Sequence, residues 1–213
     1  MINKIEIKKR DGSVIFEYET KNNTIKKTLE AYIKKERENN NNRIDLVQAD
    51  LEGIDLSGAY LAEANLTEAN LINANLNGAD LSCADLTNAN LEGADLSNVD
   101  LTNANLNGAD LFSANLNGGD LSCANLNGGD LSCANLTNAN LICAELSHAD
   151  LSYADLRNAN LQEIDLRNAN LTEANLTFAN LSFAKLSNAD LSNANLSNAD
   201  LRYTKLPSME DSA

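Results

Sequence analysis

Six aspartates, Asp80, Asp100, Asp120, Asp110, Asp130 and Asp150, recur at spacings that are multiples of ten, and so do Cys83, Cys123, Cys133 and Cys143. Carboxylates held in register can gather a cation or raise one another's proton affinity, and thiols held in register can form a disulfide. Catalysis asks for more: a nucleophile and a base converging in a concavity. His148 is the only histidine, and the serines sit at evenly spaced positions rather than beside a base. That composition predicts no enzyme, no cofactor and no zinc site.

The elements that must position these groups are set by a period of five. Leucine occupies every fifth position from Leu46 to Leu206, 33 times without a miss, usually with Ala two residues before it and Asp or Asn one before it. Ala84-Asp85-Leu86-Thr87-Asn88 is one such tile. On a helix, five residues advance about 500°, so the leucines would form no stripe. On a straight strand they would alternate faces and leave half in water. The pattern works if the backbone turns a corner in every tile, pointing Leu and its small partner inward and three polar residues outward. That is an all-β solenoid, each coil burying its apolar residues against the next.

The Ala-Asp/Asn-Leu-x-x consensus over residues 44–208 resembles the pentapeptide-repeat family. The resemblance implies a right-handed quadrilateral β-helix with four tiles per coil. The 33 tiles then make about eight coils, a rod of roughly 39 Å at strand spacing. Residues four tiles apart should stack. Asp80, Asp100 and Asp120 would form one column and Asp110, Asp130 and Asp150 another. Either these columns recruit cations, or Asp and Asn at this tile position bond the turning backbone, which also accounts for Asn140, Asn160 and Asn180. All four cysteines close their tiles and point outward. Cys123 and Cys143 would be stacked neighbours, near enough for a disulfide, although surface thiols in a reducing compartment are the simpler reading. Asn117-Gly118-Gly119-Asp120 and Asn127-Gly128-Gly129-Asp130 lack the spacing of calcium-binding nonapeptides. Thr67 and Thr87 stack, but Asn107 and Asn127 continue that column, which is too irregular for an ice-binding face. Ile44, Ile54, Val99, Ile164 and Thr204 replace inward Ala, and Gly119 and Gly129 leave less bulk. Ile44 and Ile54 should widen the first coil against a cap, while Ile164 adjusts packing locally.

The ends need separate closure, because a solenoid exposes strand edges and core there. Residues 1–43 read as a capping segment, 44–208 as the rod and 209–213 as a tail. Ile5 and Ile7 alternate with polar residues, as do Val14, Phe16 and Tyr18, around Asp11-Gly12, a hairpin signal. Asn22-Asn23-Thr24 offers helix N-caps, and Ile25, Leu29 and Ile33 mark an amphipathic helix over 24–37, broken by Asn39 to Asn42. This hairpin and helix should bury Ile25, Leu29 and Ile33 against Ile44, Leu46 and Ile54. At the other end, Tyr203 and Met209 are the residues available to fold over the last coil. That thin cover predicts an end-to-end homodimer through the C-terminal coil.

Residues 1–43 carry 11 Lys/Arg and 7 Asp/Glu, whereas 44–206 carry 5 and 22. The family resemblance implies one specific use for so acidic a rod: some members mimic DNA, occupy the duplex-binding groove of DNA gyrase and protect it from quinolones or toxins. The chain has no loop insertion, no central break in the repeat and no inward Phe, all of which mark gyrase-protecting members. The alternatives are a protein-interaction scaffold with an unknown partner and a purely structural solenoid. Phe178, Phe183 and Tyr203 form a candidate contact patch, with Phe183 expected under Tyr203, and the acid columns form a second candidate surface. Direct nucleic-acid binding is not expected. No apolar run spans a membrane and Met1-Ile2-Asn3-Lys4 lacks a signal h-region, so the expected location is cytoplasmic.

Overall fold

The corners of the chain lie where the period puts them. A computed structural model describes residues 2–21, 25–38 and 43–206. In every tile from Ala49 onward the inward residue donates its N–H to the carbonyl of the leucine three before it, as Ala84 does to Leu81 at 3.0 Å. The last residue of each tile, from Gln48 to Tyr203, has φ between 54° and 68°. A turn closed over three residues with positive φ at its third position is of the type II kind, which favours Gly or Asn there. The Asp or Asn side chain supports the same corner, accepting from the backbone N–H two residues on, as Asp80 does from Ser82 at 3.0 Å.

The coils close every four tiles. Parallel bridges run from Asp45↔Asn65 to Lys185↔Lys205 without a slip. Leucine N–H groups donate to a carbonyl of the following coil, as Leu106 does to Asn125 at 2.6 Å. Asp and Asn N–H groups donate to a carbonyl of the preceding coil, as Asp85 does to Ala64 at 2.9 Å. Four corners per coil make the tube four-sided. Its interior is closed to solvent: every leucine from Leu46 to Leu186 is at most 2% exposed. The inward β-branched residues fit, and Ile164 stretches its corner bond to 3.3 Å, the longest of the set. Val99 stands directly beneath Gly119. A methyl added at Gly119 would lie 3.2 Å from Val99 Cγ1 and from the Leu116 carbonyl, so the glycine makes room for the valine one coil away. A methyl added at Gly129 would lie 3.2 Å from the Ala109 and Leu126 carbonyls.

Residues before the tiles cover the N-terminal end. Strand β1 (Ile2–Lys8) pairs antiparallel with β2 (Val14–Lys21). Gly12 takes φ 85° at the tip, where Ser13 N–H donates to Asp11 Oδ1 at 2.8 Å. Helix α1 (Ile25–Glu38) follows. The hairpin continues the ladder of the first coil: Asp50 N–H donates to Lys8 O at 2.8 Å and Arg10 N–H to Gln48 O at 3.1 Å. Leu29 and Ile33 are buried with Ile44, Leu46 and Ile54, as the amphipathic pattern requires. Val14 departs from the expected alternation, being 47% exposed, while Tyr18, on the same face as Phe16, is 39% exposed. The register shifts beside Lys8, where Ile15 is bulged opposite it, and a bulge re-aims its strand. Only Phe16 of that set reaches the core, its ring 5.1 Å from that of Tyr32. The expected caps Asn22, Asn23 and Thr24, the run Asn39 to Asn42, Met209 and the side chains of Ile5 and Ile25 lie outside the described residues.

Candidate interaction surfaces

Register turns the periodic acids into real columns. Asp80 bridges Asp100, which bridges Asp120; on the opposite side Asp110 bridges Asp130, which bridges Asp150. Each carboxylate accepts its own tile's N–H through Oδ1: from Ser82, Thr102 and Ser122 at 3.0, 2.9 and 2.9 Å, and from Phe112, Ser132 and Ser152 at 3.0, 2.9 and 2.8 Å. The columns end on amides, Asn140 donating to Asp120 at 3.1 Å and Asn170 to Asp150 at 3.0 Å. One oxygen of each acid thus builds the corner, as expected of Asx side chains in turns. Among the described residues, no three of His, Cys, Asp and Glu are placed to hold a metal.

The acids are unevenly distributed in two ways that sequence reasoning missed. Along the axis, residues 44–156 contain 17 Asp/Glu and not one Lys or Arg, whereas 157–206 contain 5 of each. Around the axis, the side built from the tiles that start at Ala49, Ala69, Ala89 and onward holds eight acids and no base. These are Asp50, Glu52, Glu92, Asp110, Asp130, Asp150, Glu173 and Asp190, and exposed Phe112 and Tyr153 lie among them. Both patterns were available from the positions of charge relative to the four-tile coil.

In the C-terminal third, each arginine neutralises the aspartate of its own tile. Arg157, Arg167 and Arg202 fork onto Asp155, Asp165 and Asp200, with Nη2–Oδ2 distances of 2.6, 2.7 and 2.7 Å. The Asp-Leu-Arg triplet is the sequence signal for this planar, paired contact. The arginine hydrogen bonds hold all three carboxyls below the usual aspartate range, and Lys185 adds to the effect at Asp165. The aromatic candidates come together only in part. Phe183 and Tyr203 stack at 4.7 Å and 13°, as the four-tile register requires. Phe178 is 60% exposed and makes no ring contact among the described residues. Tyr203 lies outward, 79% exposed, and does not fold over the last coil. Its tile position at a corner sends it sideways, away from the end.

The two ends differ in what covers them. At the cap, Tyr32 Oη donates to Asp45 O at 3.0 Å and Lys26 bridges to Asp55 at 3.2 Å. Hydrogen bonds from Ser57, then Lys26, pull the Asp55 carboxyl down to about 2. Beside α1 a groove of about 550 Å³ is floored by Leu29, Ile33, Leu56, Ala59 and Tyr60. At the far end Leu191, Leu196 and Leu201 are only partly buried, and Leu206 is 46% exposed.

Comparison with known proteins accords with this geometry. The family model for pentapeptide repeats matches in 8 copies, over residues 44–82, 79–118, 120–154, 149–182 and 174–207. The chain belongs to the pentapeptide-repeat family, whose members are β-helical rods. Among solved structures it is similar to HetL, a pentapeptide repeat protein involved in heterocyst differentiation regulation from the cyanobacterium Nostoc sp. strain PCC 7120. That match is 36% identical over 79% of this chain and 84% of HetL, with a TM-score of 0.42. It also resembles trypsin-treated QnrB1, a plasmid-mediated fluoroquinolone resistance protein, at 20% identity over 80% of this chain and 93% of that one, with a TM-score of 0.51. The QnrB1 likeness is one of fold alone. No curated protein matches the chain.

Proposed function

We propose that this chain is a non-enzymatic, right-handed interaction rod, with residues 1–43 as cap, 44–208 as rod and 209–213 as tail, working in the cytoplasm. Its partner is a protein presenting a basic surface. The observation that carries this reading is the run of 17 acids without a base over residues 44–156. Acids added only for solubility need no such segregation; interspersed charge serves that purpose. The side bearing Asp110, Asp130 and Asp150, with Phe112 and Tyr153 among its acids, is the proposed docking face, and the column of Asp80, Asp100 and Asp120 lies on the opposite side. A rod of this charge repels nucleic acid, so no direct binding to DNA or RNA is expected. Among the described residues no helix is long and apolar enough to cross a membrane.

DNA mimicry on DNA gyrase or another type II topoisomerase is the second reading, and one quantity favours it. The 17 charges of residues 44–156, spread over about 27 Å of axis, give roughly 0.6 charge per Å, matching duplex DNA at about one per 1.7 Å. A supercoiling assay with quinolone separates the readings. A mimic inhibits or protects gyrase, with binding that collapses as salt rises; an interaction rod for another basic protein does neither, but captures that protein from lysate at low salt. A purely structural solenoid captures nothing specific at either salt. The neutral, aromatic C-terminal third, carrying Phe178, Phe183 and Tyr203, is proposed to join two copies end to end. Light scattering that finds monomers at high concentration removes that part.

A further inference from the structure

We propose that Cys123 and Cys143 form a reversible dithiol, oxidised by peroxide to a disulfide that staples two adjacent coils. Of the four cysteines, only these two are neighbours in the ladder. Cys83 shares their column but is two coils from Cys123, and Cys133 lies on the opposite side. The backbone holds the pair on successive rungs: Cys123 N–H donates to Ile142 O at 2.9 Å and Cys143 N–H to Gln162 O at 3.0 Å. Rungs of such a ladder lie about 4.8 Å apart, inside the roughly 4.4–6.8 Å range of Cα separations that a disulfide spans. Both residues have φ 57°, so their Cβ atoms project in parallel. Both thiols are exposed and free, which gives peroxide and reductant access.

The chemistry balances as follows. The Cys123 thiolate attacks one peroxide oxygen, breaking the O–O bond and leaving a sulfenic acid and hydroxide. The Cys143 sulfur then attacks the Cys123 sulfur, the S–O bond breaks and water departs. Two thiols are oxidised and one peroxide is reduced to two waters. The order follows from the surroundings of Cys143. Partial desolvation by its neighbours, then Glu163, then Cys123 push its thiol above the usual range, and the Glu163 carboxylate lies 3.9 Å from its sulfur. The carboxylate beside its sulfur disfavours the Cys143 thiolate, so the first attack is assigned to Cys123. Parallel Cβ atoms at rung spacing sit slightly wider than the roughly 3.5–4.5 Å of a relaxed disulfide, which makes the bond readily reducible. The result is a staple that peroxide closes and a thiol reductant opens.

The test treats the full native chain with hydrogen peroxide, blocks residual thiols with iodoacetamide and weighs the product. Because residues 44–156 contain no Lys or Arg, trypsin leaves both cysteines in one peptide, and cleavage at Asp130 then separates them. The expected result is a monomer lacking two hydrogens, with Cys123 and Cys143 linked and Cys83 and Cys133 alkylated. Under peroxide Cys123 and Cys143 should become resistant to alkylation roughly tenfold faster than Cys83 or Cys133. Dithiothreitol should restore all four thiols. Cys123→Ser and Cys143→Ser should each abolish the link, and Cys83→Ser and Cys133→Ser should leave it, with circular dichroism confirming that all four variants fold. Equal modification of all four cysteines, or a link only between chains, overturns the proposal.

Discussion

The two ends of the rod are made of the same tiles, yet one is covered by non-repeating sequence and the other, among the described residues, is not. At the start, Lys8 and Arg10 supply the ladder partners that a coil beneath would have supplied, and Leu29 and Ile33 fill the apolar opening. At the finish, Leu201 and Leu206 are left partly exposed. A tile that stacks on its own kind solves the interior once and for all, but it leaves the termini unsolved. Closing an end takes residues that break the pattern: β-branched bulk at Ile44 and Ile54, a bulged hairpin and an amphipathic helix.

The sharpest way to break this comparison is to delete equivalent apolar bulk at each end. Leu29→Ala is expected to cost about 2–5 kcal/mol, as for a buried leucine, and Leu201→Ala under about 1 kcal/mol in a monomer. Urea unfolding followed by circular dichroism checks both. Equal losses would mean that the C-terminal end is covered as well. Between the ends, Gly119→Ala is expected to destabilise by about 1–3 kcal/mol through overpacking, and Val99→Ala in the same chain should recover most of that. Additive losses would show that the two are not partners.

A smaller gain is expected at the corners. Tyr153 holds φ 60°, which is costly for any residue with a Cβ. Tyr153→Gly should raise the urea midpoint by the equivalent of up to about 1 kcal/mol, offset by the entropy glycine loses on folding. Acid gives the mildest probe of the capped end. Asp55 is pulled down to about 2 in the folded chain, against about 3.9 when unfolded. A depressed carboxyl stabilises above its unfolded value, and that contribution fades as pH falls from about 4 toward 2. Over that window Tyr32 fluorescence and amide exchange in α1 should report loosening at the cap before the central coils respond. Asp55→Asn should remove the difference between pH 5 and pH 3.

The corner in every tile was legible because Leu46 through Leu206 suit neither a helix nor a straight strand, while four tiles per coil was what the family resemblance implied. The hairpin and helix were legible because Ile7, Leu29 and Ile33 carry the periods of their elements. The outward face of β2 was not. Val14 and Phe16 have the same spacing as any alternating pair, and the bulge at Ile15 depends on where the hairpin meets Asp50. The acid columns were placed correctly, but their chemistry lay in the corner. Each of Asp80 through Asp150 in those columns spends one oxygen on its own backbone, a contact that Asn makes equally well. The Val99–Gly119 match could have been found by stepping four tiles along the chain. The stacking of Phe183 on Tyr203 was found that way, whereas the Arg157–Asp155 fork needed side-chain geometry within a single tile.

The unbroken bridge pattern from Asp45 to Lys185 has a consequence for how such a chain changes by insertion and deletion. Removing one whole tile leaves every leucine inside but rotates everything downstream by a quarter turn, so an acid facing one partner comes to face another. Removing four tiles shortens the molecule and preserves all azimuths. Length in multiples of five is therefore a compass setting, adjustable by recombination between near-identical segments without a single new side chain.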